Sequence, residues 1–300
     1  MYSTKIYSRF FSTSIRCMKE IQKVTVIGSG VMGSGVGQIS AQGNCNVTIV
    51  DRNEACLRNS KIVIIKSIER IAKKKFGNDN HHDKEEFTNG ILDKIKYTTN
   101  LNYAVSDCDL IIETIVEDLG IKKQLFKNIE KHCKDDTIIT TNTSSLALEK
   151  LSEDLKNKHN FGGLHFFNPV PMMKLVEVIT IKETSKDVTE CLIEFCKKIG
   201  KTPVQCKDTP GYIVNRLLYP YLFDAIKLHE RGDATKEDID KAMKLGASYP
   251  MGPFELADFI GLDILKSIME HYPDKKSQLL DKLLEEHKYG IKSGEGFYKY

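Results

Sequence analysis

At 300 residues the chain can bury a substantial core, and a prior of roughly 100–200 residues per domain implies two domains. Its 41% hydrophobic and 28% charged residues, with no apolar run near the ~20 residues that span a bilayer, exclude a membrane-embedded body and fit a soluble enzyme. Residues 1–19 hold four basic and no acidic residues, leaving 40 of the 44 basic residues against 41 acidic ones; the formal +3 charge belongs to the leader and gives no ground for a nucleic-acid partner.

The leader itself, with Lys5, Arg9, Arg16 and Lys19 among repeated Ser and Thr around Phe10-Phe11, reads as a mitochondrial presequence. A disordered tail without an address is the alternative; a secretory signal needs a longer apolar stretch than follows here. The eight cysteines are scattered, with no Cys-x-x-Cys pair, which argues for reduced thiols rather than a zinc knuckle or a disulfide framework.

The first predicted element is a buried parallel strand, Lys23-Val24-Thr25-Val26-Ile27, ending at Gly28-Ser29-Gly30-Val31-Met32-Gly33. Gly28 allows a tight turn, Gly30 lets backbone approach a pyrophosphate, and Gly33 permits close packing of the following helix, about Met32 to Gln42, whose amides and dipole face the phosphates. A second strand, Asn46 to Val50, ends in Asp51, where a carboxylate accepts both ribose hydroxyls of NAD and repels the 2′-phosphate of NADP, although Arg52 adjoins it. Strand, glycine turn, helix, strand and acid in that order predict a dinucleotide-binding unit.

Asn53 then opens a long helix as N-cap, running to about Phe76 with Gly77 as C-cap. Leu57, Ile64, Ile68 and Ile71 form its apolar stripe, while Lys66, Arg70, Lys73 and Lys74 share a charged face that suits solvent or an anionic ligand. Residues 77–84 read as a polar turn in which His81 and His82 are solvated rather than metal-binding, and a shorter helix is predicted over residues 84–95. No metal site is expected.

Leu110-Ile111-Ile112, a helix over residues 121–133 and Thr137-Ile138-Ile139-Thr140 resume the alternation, which is doubly wound α/β architecture of Rossmann type with a helical insertion. Residues Glu113 to Lys122 and Asn142-Thr143-Ser144-Ser145 follow strand ends, where chemistry collects in such sheets. One of the hydroxyls at 143–145 is expected to N-cap a helix containing Leu146, Leu148 and Leu151, which leaves another for a substrate oxygen. His165 lies in an apolar strand, residues 161–167, and Glu177 in a second, residues 174–179. A buried carboxylate needs a partner, and a histidine backed by a carboxylate is a base suited to taking a hydroxyl proton while hydride leaves the carbon.

Residues 141–146 (TNTSSL), 163–171 (GLHFFNPVP), 175–178 (LVEV), 208–216 (DTPGYIVNR), 249–256 (YPMGPFEL) and 294–298 (GEGFY) resemble the L-3-hydroxyacyl-CoA dehydrogenase family, in order across residues 20–300. The resemblance implies His165 as general base, Glu177 as its orienter, and Ser144 with Asn215 on the substrate oxygen. It also implies Asp51, Glu117, Lys122, Ser144, Asn168 and Lys292 at NAD, with Ser67, Lys74 and Ser144 toward coenzyme A. Tyr212 stands where the family commonly has Phe.

From Asp208 the pattern is helical. Ile213, Leu217, Leu218, Tyr221, Leu222 and Ala225 form an apolar stripe that Pro220 is expected to kink; Thr235 or Lys236 starts another helix, Pro253 suits a first helical turn, and further helices fall at residues 262–271 and 278–287. The expected organisation is therefore a presequence (1–19), an NAD-binding domain (20–207) and an all-α substrate and dimerisation domain (208–300). The expected activity is NAD-dependent oxidation of an L-3-hydroxyacyl-CoA in the mitochondrial matrix by a homodimer, without nucleic-acid partner or membrane span. A dehydrogenase of a free hydroxy acid of the sugar-acid type and a non-catalytic, crystallin-like nucleotide-binding protein are the alternatives.

Overall fold

Apolar strands alternating with amphipathic helices build an eight-stranded sheet in the computed structural model, which describes residues 20–270 and 276–300; the presequence reading lies outside these residues. In chain order the elements are β1 (Lys23–Ile27), α1 (Val31–Gln42), β2 (Asn46–Val50), α2 (Glu54–Phe76), α3 (His81–Leu92), β3 (Ile95–Thr98) and α4 (Leu101–Val105). There follow β4 (Leu110–Glu113), α5 (Leu119–Glu130), β5 (Ile138–Thr141), α6 (Leu148–Leu151), β6 (Phe161–Phe166), β7 (Leu175–Thr180), α7 (Lys186–Lys198) and β8 (Thr202–Lys207). The strand order β3-β2-β1-β4-β5-β6-β7-β8 is parallel throughout except between β6 and β7. The order reverses between β1 and β4, and such a switch point opens a crevice beyond the strands' carboxyl ends.

The strands read as continuous apolar runs because helices cover both faces: Val26, Ile49 and Ile112 are fully buried, with Val36 of α1 and Ile64 and Ile68 of α2 packed in the same core. Asn53 caps α2 by accepting from the Ala55 amide at 2.8 Å, and Gly77 ends it at φ +79°. Several boundaries differ from expectation. The third helix starts at His81, not Lys84, because Asn80 accepts from the Asp83 amide and caps it earlier; His81 and His82 open the helix as exposed residues. It stops at Leu92, and Ile95 instead heads β3, a four-residue strand paired with β2. Asp118 starts α5 two residues early, and α6 begins only at Leu148, capped by no side chain. Residues 186–207, unassigned from sequence, supply α7 and β8; Pro203 is tolerated because β8 is an edge strand.

A second compact unit, Pro210–Tyr300, is helical: α8 (Val214–Glu230, with Pro220 inside it), α9 (Lys236–Gly246), α10 (Pro253–Ile260), α11 (Leu262–Met269) and α12 (Gln278–Glu285). Its own core holds Leu222, Phe223, Phe254, Leu265 and Phe297. Two buried carboxylates fasten the chain end: Asp258 accepts from the Phe297 and Tyr298 amides, each at 2.8 Å, and Asp240 from the Tyr298 hydroxyl at 2.8 Å. Burial pushes both carboxyls above their ordinary value.

Candidate active site

The glycine turn closes as its sequence requires. Gly28 adopts φ +100°, and a Cβ on Gly33 would lie 1.9 Å from the Gly28 carbonyl oxygen, so neither position accepts a side chain. A Cβ on Gly30 would meet no protein atom within 4 Å, so the protein's own packing does not demand glycine there, and the space beside the start of α1 is open to a ligand phosphate. Asp51 lies beside the turn, its Oδ2 accepting from the Ser29 amide (2.9 Å) and hydroxyl (2.8 Å). A cavity of about 780 Å³ opens here, lined by Gly28, Gly30, Asp51, Arg52, Ser60 and Val63 among others. Glycine turn, helix terminus and acid together fit an adenosine diphosphate moiety of the kind NAD carries.

Beyond β4 and β5, Glu113 is wholly buried and accepts from the Ile115 amide (2.6 Å), Thr141 hydroxyl (2.6 Å) and Lys122 ammonium (2.7 Å). Lys122, 1% exposed, also stands 3.2 Å from Glu117. Glu117 in turn accepts from the Thr143 hydroxyl, the Ser144 and Ser145 amides (each 3.2 Å) and the Ser145 hydroxyl (2.9 Å). Burial alone would raise the Glu117 carboxyl, but the Thr143 hydroxyl, Lys122 and the Ser145 hydroxyl outweigh it and hold it below its ordinary value. The hydroxyls expected to cap a helix are thus used differently: Thr143 and Ser145 bond Glu117 and shape the loop, Thr143 Oγ1 accepting from the Leu146 amide, and Ser144 is exposed on that loop.

His165 and Glu177 face each other because β6 and β7 run antiparallel with these two residues in register. Their side chains meet, Nδ1 to Oε2, at 2.7 Å; His165 is 5% exposed and Glu177 wholly buried. With the carboxylate accepting from Nδ1–H, Nε2 is the nitrogen able to take a proton. Asn142 ties the neighbouring loop to this strand by accepting from the Phe166 amide at 2.8 Å. Asn168, exposed, follows β6 and precedes a cis bond to Pro169. The buried Lys201 donates to the carbonyls of Val170 (2.5 Å) and Met173 (2.7 Å), holding the loop that carries Asn168. Glu113 heads the strand-end segment, residues 113–122, to which the sequence draws attention, but no motif there gives it an individual role; Lys201 is not singled out, because no motif marks a lysine whose partners lie on a distant loop.

On α2, Ser67 is half-buried and Lys66, Arg70, Lys73 and Lys74 are exposed. In the second unit Asn215 is the second residue of α8, following Gly211 (φ +77°) and Tyr212 (φ +49°), and Lys292 pairs with both Asp263 oxygens at 2.5 and 2.6 Å. The structure thus gathers Gly28, Gly30 and Asp51, then Glu117, Lys122 and Ser144, then His165 and Glu177, within the first unit, while Asn215 and Lys292 belong to the second.

Residues 23–209 match the family model described as 3-hydroxyacyl-CoA dehydrogenase, NAD binding domain, and residues 211–300 that described as 3-hydroxyacyl-CoA dehydrogenase, C-terminal domain. A probable 3-hydroxyacyl-CoA dehydrogenase of Caenorhabditis elegans is 52% identical over 300 residues, covering 97% of this chain and 96% of its own. The mitochondrial hydroxyacyl-coenzyme A dehydrogenase of Homo sapiens is 50% identical over 288 residues, 93% of this chain and 91% of its own. The crystal structure of (S)-3-hydroxybutyryl-CoA dehydrogenase from Ralstonia eutropha superposes with a TM-score of 0.86 at 33% identity, covering 94% of this chain and 99% of that one.

Proposed function

Because the chain belongs to the 3-hydroxyacyl-CoA dehydrogenase family, we propose that it oxidises L-3-hydroxyacyl-CoA thioesters to 3-ketoacyl-CoA with NAD, a step of fatty acid β-oxidation. The observation that carries this reading is the buried pair of His165 and Glu177 at 2.7 Å. Bound NAD supplies the hydride acceptor. His165 takes the 3-hydroxyl proton on Nε2, and Glu177, already bonded to Nδ1, stabilises the imidazolium as it forms. Ser144 and Asn215 hydrogen-bond the substrate oxygen and hold it against the base.

The glycine turn, Asp51, Glu117, Lys122, Ser144, Asn168 and Lys292 hold the cofactor in this reading, with Asp51 opposing a 2′-phosphate and so favouring NAD over NADP. Lys122 acts there through its bond to Glu117, since its own side chain is buried. Ser67, Ser144 and the exposed Lys74 face the coenzyme A portion, whose phosphates suit the basic side of α2. The domain limits we assign are 20–207 for NAD binding and 208–300 for substrate contact and dimerisation. Large exposed apolar side chains in the second unit, among them Leu217, Leu245 and Phe259, support a homodimer. The basic, acid-free leader and the mitochondrial relatives support the mitochondrion and, more finely, its matrix.

Purified protein is expected to oxidise NADH with acetoacetyl-CoA and not with free acetoacetate. His165→Ala is expected to lower that rate at least about a thousandfold while NADH still binds. A wild-type rate in His165→Ala removes the base assignment, and equal turnover of the free acid removes the thioester.

A further inference from the structure

The residue between the first two glycines of the turn has a side chain with a task of its own. The Asp51 carboxylate, the group that meets the ribose in the proposed function, is not held by its own strand alone. Both the amide and the hydroxyl of Ser29 donate to its Oδ2, at 2.9 and 2.8 Å, while the Asn53 amide reaches Oδ1 at 3.2 Å. Ser29 is itself fixed from behind, its carbonyl accepting from Ser34 Oγ at 3.0 Å, and Ser34 Oγ stands 2.8 Å from Ser60 Oγ. A serine hydroxyl has one proton, so with Ser34's on Ser29 it is Ser60 that donates to Ser34. The three serines are 5, 3 and 2% exposed and run from α2 through α1 to the turn, all bordering the same cavity. Arg52, exposed and also on that cavity, is the cation adjoining Asp51.

We propose that Ser29 is a specificity-determining positioning residue: its hydroxyl tethers Asp51 beside the glycine turn, where the carboxylate receives ribose hydroxyls and bars a 2′-phosphate. The inference rests on the reading of this cavity as an NAD site. Without the hydroxyl, one of the two donors to Oδ2 is gone and the carboxylate gains freedom to turn toward Arg52. That motion weakens its grip on a ribose diol and at the same time clears a cation for a phosphate. A serine that served only to stabilise the turn would, on removal, weaken binding of both nucleotides alike.

The test is fluorescence titration of NADH and NADPH against the full-length wild type, Ser29→Ala, Ser29→Cys and Ser34→Ala. Ser29→Cys keeps the volume while offering only a weak donor, and it carries the test should Ser29→Ala not fold. Loss of one charge-assisted hydrogen bond is expected to weaken NADH about tenfold and to shrink the NADH-over-NADPH preference by a similar factor in both Ser29 variants. Ser34→Ala is expected to shift the preference the same way by a smaller factor. A preference unchanged within about twofold in both Ser29 variants, the precision at which one hydrogen bond is resolved, overturns the proposal even if their melting temperatures fall. Wild type that binds neither nucleotide overturns instead the reading of the cavity, and with it this one.

Discussion

Glu177 and Glu117 show how one residue type takes two tasks from its surroundings. Glu177 has no exposed surface and meets His165 across the sheet at 2.7 Å, which gives a carboxyl removed from water a hydrogen-bond partner. Glu117 is partly open and held by hydroxyls, amides and Lys122, which keep its carboxyl below the ordinary 4.5. A carboxyl lowered by folding contributes stability that is present above 4.5 and is lost as pH falls through its folded value. Glu117→Gln is therefore expected to be less stable than the wild type at neutral pH, with the gap closing well below pH 4.5; urea midpoints at the two conditions check it, and a gap independent of pH contradicts it. At this scale the sequence was legible where a residue sits in a local signature, as Asp51 does at a strand end. Lys201 and the Ser29 hydroxyl were not legible as site residues, because each is defined by partners 22 to 31 positions away; Glu113 was legible as a strand end but not in its role, since the Lys122 and Thr141 it meets lie 9 and 28 positions on.

Elements explain why two glycines of one turn differ. Gly33→Ala forces a Cβ against the Gly28 carbonyl and Thr114 Oγ1, at 1.9 and 2.6 Å, and is expected to lower stability by about 1–3 kcal/mol. Gly30→Ala meets nothing and sits at an extended φ of −68° before α1, so it is expected to change stability by less than about 1 kcal/mol while NADH binding weakens. Thermal unfolding beside NADH titration separates the two, and equal destabilisation would undo the distinction. The long helix α2 was readable from both of its caps, Asn53 and Gly77. The short pieces were not: β3 and α4 span 4 and 5 residues, too few for a period to emerge, and α6 lost its expected cap when Glu117 took the hydroxyls.

In the whole molecule each unit has its own core, one built on the sheet and one on helices α8 to α12. The second leaves Leu217 and Leu245 70 and 76% exposed. Buried against a second copy, such side chains give the homodimer proposed above. Sedimentation equilibrium is expected to return twice the chain mass, and Leu217→Glu with Leu245→Glu to shift it toward one; a wild-type monomer rejects the dimer. By itself the sequence determined the glycine turn with its flanking strands and acid, the two caps of the long helix α2 and the alternation of strand and helix, because these follow from backbone geometry within a few residues. Only the tertiary structure decided that β7 runs against β6 with Glu177 in register opposite His165, and that the buried Lys122 joins the buried Glu113 to the partly open Glu117. Register and buried partners are chosen by the need to satisfy every polar group removed from water, a condition set by chain segments far apart in sequence.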